Sequence, residues 1–250
     1  MNRLKTALAE GRPQFGLWQS LAHPYAAEIC AAAGFDWLLF DGEHAPNTVT
    51  TLLAQLQAVA AYPVEAVARP PVGDPVIIKQ YLDIGFRSLL IPMVGSVAQA
   101  ESLVSATRYP PVGIRGVAGL TRASRFGATP DYLATAHQDI CLILQIENRA
   151  GLEAIEDIAA LPGVDAIFIG PSDLAGALGH LGDAGHPDVQ GAISKAIQSM
   201  QRAGKPVGIY ATSVESARNY VAAGVRMVSV GSDIGLLSNG ARALQRASVL

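Results

Sequence analysis

The chain has 250 residues, of which 50% are hydrophobic and only 16% charged, with a formal net charge of -3. Its scattered Lys and Arg form no basic stripe, which argues against a nucleic-acid partner, and no apolar run reaches the roughly 18 residues that cross a bilayer. The length suits a single (β/α)-type barrel, and the sparse charge favours an oligomer with apolar interfaces.

From the N-terminus, MNRLKTALAEGRPQFG interleaves charges too densely for a secretory segment, so a cytoplasmic protein is expected. QFGLWQS (14–20) reads as a first strand, and the Ala-rich PYAAEICAAAG (24–34) as a helix closed by Gly. DWLLFDGEH (36–44) is a second strand that runs out into Asp41, Glu43 and His44, followed by a helical TVTTLLAQLQAVAAY (48–62). VEAVARP (64–70) is a third strand ending in Arg69, and FRSLLIPMV (86–94) a fourth. YPPVGIRGVAGLTRASRFGATP (109–130) then breaks the rhythm, with no periodicity and three arginines, Arg115, Arg122 and Arg125. Loops of this length in compact domains are functional or interfacial.

The second half resumes with ICLILQIE (140–147), an apolar run that closes on Gln145 and Glu147, and DAIFIGPSD (165–173), which leads into Asp173. VQGAISKAIQSMQRAG (189–204) reads as a helix, and PVGIYAT (206–212) and MVSVGSD (227–233) complete eight strands. Strands that alternate with helices pair in parallel through right-handed crossovers, and eight such units predict one closed (β/α)8 barrel over residues 1–250. A doubly wound open sheet would show G-x-G-x-x-G after its first strand, and none is present. Cys30 and Cys141 have no neighbouring His or second Cys and read as core.

A (β/α)8 barrel works at the C-terminal ends of its strands. Asp41, Glu43, His44, Arg69, Gln145, Glu147 and Asp173 are all expected on that rim. Side chains alternate along a strand, so Gln145 and Glu147 share a direction opposite to Leu144 and Ile146. If the aliphatic pair faces the helices, Glu147 faces the mouth. An unpaired buried carboxylate is costly; two carboxylates, Glu147 and Asp173, with no Cys/His cluster describe an oxygen-liganded site for Mg²⁺ or Mn²⁺. The backbone N–H groups of Ser172 and Asp173, at a helix start, suit a substrate carboxylate. Arg69 offers a fixed charge for a developing oxyanion, and His44, three residues after Asp41, a base with a carboxylate partner.

None of the four lysines, Lys5, Lys79, Lys195 and Lys205, is placed for a Schiff base at the mouth. Asp233 stands where a barrel phosphate site would be, and would repel one. His23, His137, His180 and His186 have no spacing for a metal cluster and read as surface residues.

LLFDGEHAP, ARPP, TRYPPVGIRG, QIENRAGLEAI and DAIFIGPSDLAGALG, in this order and over nearly the whole chain, closely resemble the HpcH/HpaI family of class II, metal-dependent pyruvate aldolases, the 4-hydroxy-2-oxoheptanedioate or hydroxyketoacid aldolase group. The resemblance implies Glu147 and Asp173 as metal ligands, Arg69 as enolate stabiliser and His44 with Asp41 as the acid–base pair. It places Gln145 beside the keto acid and the backbone of Ser172 and Asp173 at its carboxylate. The implied reaction is reversible cleavage of a 4-hydroxy-2-oxoacid to pyruvate and an aldehyde, through an enolate held by Mg²⁺, Mn²⁺ or Co²⁺, with oxaloacetate decarboxylation as a side activity. A homohexamer, a trimer of dimers with exchanged C-terminal helices, is implied as well, residues 239–250 supplying that helix. The alternatives are an acyl-CoA lyase of the malyl-CoA or citryl-CoA type and a non-catalytic keto-acid-binding barrel. The match weakens at QSLAHP (19–24) and PPVGD (70–74), early rim loops that bear on aldehyde preference.

Overall fold

A computed structural model describes residues 1–248. Eight strands, β1 (Gln14–Gln19), β2 (Trp37–Asp41), β3 (Glu65–Arg69), β4 (Ser88–Ile91), β5 (Cys141–Ile146), β6 (Ala166–Ile169), β7 (Val207–Tyr210) and β8 (Met227–Ser232), pair in parallel and in chain order, and β8 returns to β1 to close the barrel. Each falls inside a run expected from the sequence. Asp41, Arg69 and Gln145 lie within their strands, whereas His44 and Glu147 belong to the βα connections and Asp173 to the helix after β6.

The helices are α1 (Arg3–Ala9), α2 (Pro24–Ala32), α3 (Val49–Ala58), α4 (Pro75–Asp83), α5 (Val97–Ala106), α6 (Tyr132–Thr135), α7 (Arg149–Glu153), α8 (Ile155–Ala160), α9 (Pro171–Leu178), α10 (Pro187–Arg202), α11 (Val214–Ala222) and α12 (Asp233–Ser248). Several start on side-chain caps that satisfy otherwise orphaned N–H groups. Asp74 accepts from Val76 and Ile77, and Thr48 and Ser213 form capping boxes with Thr51 and Ser216. α12 begins at Asp233, earlier than expected; Val249 and Leu250, which end the expected C-terminal helix, lie outside the described residues.

Strand alternation splits the core in two. Trp37, Leu39, Val67, Ile143, Phe168 and Met227 fill the barrel interior, closed below by Leu4 and Leu8 of α1. Leu38, Phe40, Leu142, Leu144, Ile146, Ile167 and Ile169 pack outward against the helices. A Cβ on Gly16 would collide with the Trp37 indole, so β1 must be bare there for this ring to be wholly buried. Because Leu144 and Ile146 face the helices, Gln145 is turned inward, as its parity requires. Cys141 is buried and Cys30 half-buried, both free thiols.

The 109–130 segment has no strand or helix. Arg115 is buried, donates to Asp83 at 2.6 Å and lies over the Tyr109 ring at 4.4 Å, while Arg122 donates to the Ile84 carbonyl. These two arginines tie the segment to the end of α4, away from the strand C-termini. Its outward side exposes Val112, Ile114, Val117, Leu120 and Phe126, an apolar surface of interface character. Asp233 is buried and accepts the Ser20 and Leu21 N–H groups, clipping the loop after β1 to the start of α12.

Candidate active site

The strand ends bring the expected residues to one mouth. Arg69, at the end of β3, has a side chain only 7% exposed. Its guanidinium donates through Nε (2.9 Å) and Nη2 (2.7 Å) to Asp41, at the end of β2, and through Nη1 to Glu43 at 2.8 Å. It lies 5.1 Å from the Trp18 ring centroid, and the Trp18 indole N–H also donates to Asp41. Burial alone would raise the Asp41 pKa, but the Arg69 hydrogen bonds and charge, with the N–H groups of Glu43 and His44, hold it below the usual carboxylate range. Asp41 therefore stays ionised and fixes the guanidinium plane.

The His44 ring does not pair with Asp41. Asp41 accepts the His44 backbone N–H at 3.4 Å, whereas the ring Nε2 stands 3.7 Å from Glu43 Oε2 with 66% of the side chain exposed. The reason is geometric: Arg69 and the two backbone N–H groups already occupy the Asp41 oxygens, so the ring turns outward to the next carboxylate. The sequence places Glu43 on the rim but gives it no role; here it joins Arg69 to His44. Burial pushes the Glu43 carboxyl up, Arg69 and His44 offset part of this, and Asp41 and Asp173 add to it.

Glu147 follows β5 and is buried. Its Oε1 accepts the Met93 N–H at 2.8 Å and its Oε2 accepts from Gln145 Nε2 at 2.6 Å. Burial pushes its pKa up to about 7; the Met93 hydrogen bond opposes the shift, while Asp173 and Glu43 reinforce it. Gln145 Oε1 is buried with no hydrogen-bond partner. A Cβ on Gly170 would collide with Glu147 Oε2, so the strand-to-helix corner must be glycine to leave space beside that carboxylate.

α9 starts at Pro171 with no side-chain cap on Gly170, and carries Asp173, exposed, in its first turn. The N–H groups of Ser172 and Asp173 are thus at an uncapped, positively polarised helix start, suited to an anion. Two contributors gave no usable signal in sequence. Trp18 is one aliphatic-strand aromatic among others until the barrel closes, and Met93 acts through its backbone, held at φ +57. The described lysines stay away from the mouth: Lys5 pairs with Asp165, and Lys205 donates to the Val164 carbonyl, both before β6.

A buried carboxylate shifted to about 7, two further carboxylates that share its field, and an orphaned amide oxygen make a mouth short of positive charge. A hard divalent cation fits this donor set.

The HpcH/HpaI aldolase/citrate lyase family model matches residues 14–240. A hydroxypyruvate/pyruvate aldolase of Deinococcus radiodurans is 59% identical over 97% of this chain and 88% of its own length. A 4-hydroxy-2-oxo-heptane-1,7-dioate aldolase of Klebsiella pneumoniae is 51% identical over 97% of this chain and 92% of its own. The crystal structure of an HpcH/HpaI aldolase/citrate lyase family protein from Burkholderia cenocepacia superposes with a TM-score of 0.96 at 44% identity, covering 100% of both chains.

Proposed function

This chain belongs to the HpcH/HpaI aldolase/citrate lyase family, and from that premise we propose that it is a class II aldolase that reversibly cleaves 4-hydroxy-2-oxoacids to pyruvate and an aldehyde. The observation that carries the reading is the buried Glu147, beside the orphaned Gln145 Oε1 and within the field of Asp173 and Glu43. Glu147 and Asp173 are the residues that would hold Mg²⁺, Mn²⁺ or Co²⁺. When bound, the ion supplies Lewis acidity that draws electron density from the keto oxygen.

The chain's own groups do the rest. The Ser172 and Asp173 N–H groups bind the substrate carboxylate, and Gln145 fills the space next to the keto acid. His44 takes the proton from the C4 hydroxyl; the O–H electron pair left on oxygen forms the aldehyde carbonyl as the C3–C4 pair moves into the keto-acid fragment, whose C3 then takes up a proton to give pyruvate. Arg69 faces the negative charge that develops there. Three of its five N–H donors are committed to Asp41 and Glu43, which aim the plane and leave two for the oxyanion. Glu43 steadies the imidazolium that His44 becomes. Trp18 walls one side of the guanidinium and keeps water from it. Decarboxylation of oxaloacetate gives the same three-carbon fragment and is expected at the same site.

Apolar residues exposed on α2 and α12, with the outer side of the 109–130 segment, support an oligomer, which we assign as the homohexamer. The function is tested with a panel of aldehydes and pyruvate, before and after chelation. Activity that disappears on chelation and returns with Mg²⁺, Mn²⁺ or Co²⁺, with no lysine adduct trapped by borohydride and pyruvate, supports the assignment. A trapped lysine, or activity that survives chelation, overturns it.

A further inference from the structure

Beyond the end of the helix that carries Asp173, the fold joins two histidines that the sequence spacing leaves apart. α9 ends at Leu178, and Gly179 takes a left-handed φ of +92 that turns the chain sharply. His180 then comes to stack on His186, the N-cap of α10, with ring centroids 3.5 Å apart and planes within 14°. Asp188, in the first turn of α10, sets Oδ2 3.1 Å from His180 Nε2 and 3.7 Å from His186 Nδ1. One ligand atom from each of the three residues lies within 4.8 Å of the others, the only such group of three among the described residues.

The contacts suit a cation. His186 Nδ1 accepts the Asp188 N–H at 3.2 Å, so that nitrogen carries no proton, and its lone pair would pass from this N–H to the ion. His180 Nε2 lies 3.1 Å from Asp188 Oδ2, a contact that a cation between the two atoms would replace. In a tetrahedral site with bonds of roughly 2.0–2.2 Å, neighbouring donor atoms stand about 3.3–3.6 Å apart; the two observed separations of 3.1 and 3.7 Å bracket that range. Two imidazoles and one carboxylate select Zn²⁺, Ni²⁺ or Co²⁺ over Mg²⁺, which prefers oxygen. Side-chain exposures of 25%, 33% and 72% leave room for water at the remaining position. Ligation requires the rings to turn out of their stack so that their lone pairs converge.

We propose that His180, His186 and Asp188 form a second metal site, specific for a first-row transition ion, that clamps the end of α9 to the start of α10. α9 carries Asp173 in its first turn, about 8 Å of helix from its end at Leu178, so the clamp braces the element that bears a mouth carboxylate.

The test is Ni²⁺ binding to chelator-stripped protein in millimolar Mg²⁺, by calorimetry and equilibrium dialysis. Glu147→Ala removes the mouth site, His180→Ala an imidazole, and Asp188→Asn the carboxylate charge on an exposed side chain while keeping a hydrogen-bond acceptor. His186→Asn removes the other ring but retains a good helix cap. The expected result is that Glu147→Ala still binds about one Ni²⁺ per chain, that adding any one of the other three substitutions to Glu147→Ala weakens this binding about tenfold or more, and that Ni²⁺ raises the melting temperature of Glu147→Ala but not of Glu147→Ala combined with His186→Asn. Ni²⁺ binding that is abolished in Glu147→Ala, or unchanged when His180→Ala or Asp188→Asn is added to it, overturns the proposal.

Discussion

Glu147 is a buried carboxylate beside two others, and its consequence is a pH-dependent metal site. Burial raises its pKa to about 7, so below that pH the group holds a proton that a cation must displace. The sign follows: apparent metal affinity falls about tenfold per pH unit below about 7 and levels off above it. Mn²⁺ affinity measured from pH 5 to 8 should show this break, and Glu147→Gln should bind weakly at every pH without it. An unchanged affinity in the variant would remove Glu147 as a ligand. Arg69 and His44 separate by reaction. Arg69 faces charge that develops whichever bond breaks, so its loss should depress aldol cleavage and oxaloacetate decarboxylation alike; Arg69→Lys is the safer variant, because Arg69→Ala strands the buried Asp41 charge. His44 handles a proton that only aldol cleavage releases, so His44→Ala should lower cleavage about 10²–10⁴-fold more than decarboxylation. Equal losses at saturating metal would reduce His44 to shaping the site. At this scale the residue types were readable from the strand ends, but the partners were not. His44 and Asp41 look paired because three positions separate them, yet the Asp41 oxygens are taken by Arg69 and by backbone N–H groups, which no side-chain pattern reveals.

Among the elements, the connection after β4 positions Glu147 without contributing a side chain to it. Met93 sits at φ +57, a conformation that costs a non-glycine residue about 1 kcal/mol or more, and it is kept there by Gln99 on α5. Gln99 Oε1 accepts the Gly95 N–H at 2.9 Å, and its Nε2 donates to the Met93 carbonyl at 3.4 Å. Releasing this bracket frees the N–H that Glu147 Oε1 accepts. Loss of one partly exposed hydrogen bond is worth about 1 kcal/mol, so Gln99→Ala should weaken Mn²⁺ binding about fivefold while the far-ultraviolet circular dichroism stays that of the parent. Binding unchanged by Gln99→Ala would detach this loop from the site. The eight strands were legible because buried parallel strands are continuous aliphatic runs; the bracket was not, since a glutamine on a half-buried helix face looks like any solvated residue. The His180–His186 stack was hidden for a related reason. It depends on the turn at Gly179, and an H-x5-H pair with no cysteine pair beside it does not by itself make a ligand set.

For the whole molecule, the question is what holds α12. It is a 16-residue helix in which only Asp233 is buried. Ile234, Leu237 and Leu244 fall on one face at helical spacing and are 49%, 61% and 71% exposed, and Leu236 adjoins them at 62%. Helices of about this length are marginal without tertiary packing, so an apolar stripe left to water marks a face that another surface covers. Tyr25 and Ile29 on α2, exposed at 68% and 60%, offer apolar area of the same kind. A second copy of the chain satisfies both stripes by symmetry, since an isologous contact buries the same patch on each subunit. Leu237→Asp with Leu244→Asp places two charges in that contact and leaves the barrel interior untouched. Light scattering should therefore show the parent as an oligomer and the double variant at a lower mass, with barrel circular dichroism retained. The variant should also melt earlier, because α12 and Asp233 together clip the loop after β1 to the barrel. A parent that scatters as a monomer, or a double variant of unchanged mass, would leave α12 without the subunit contact argued for it.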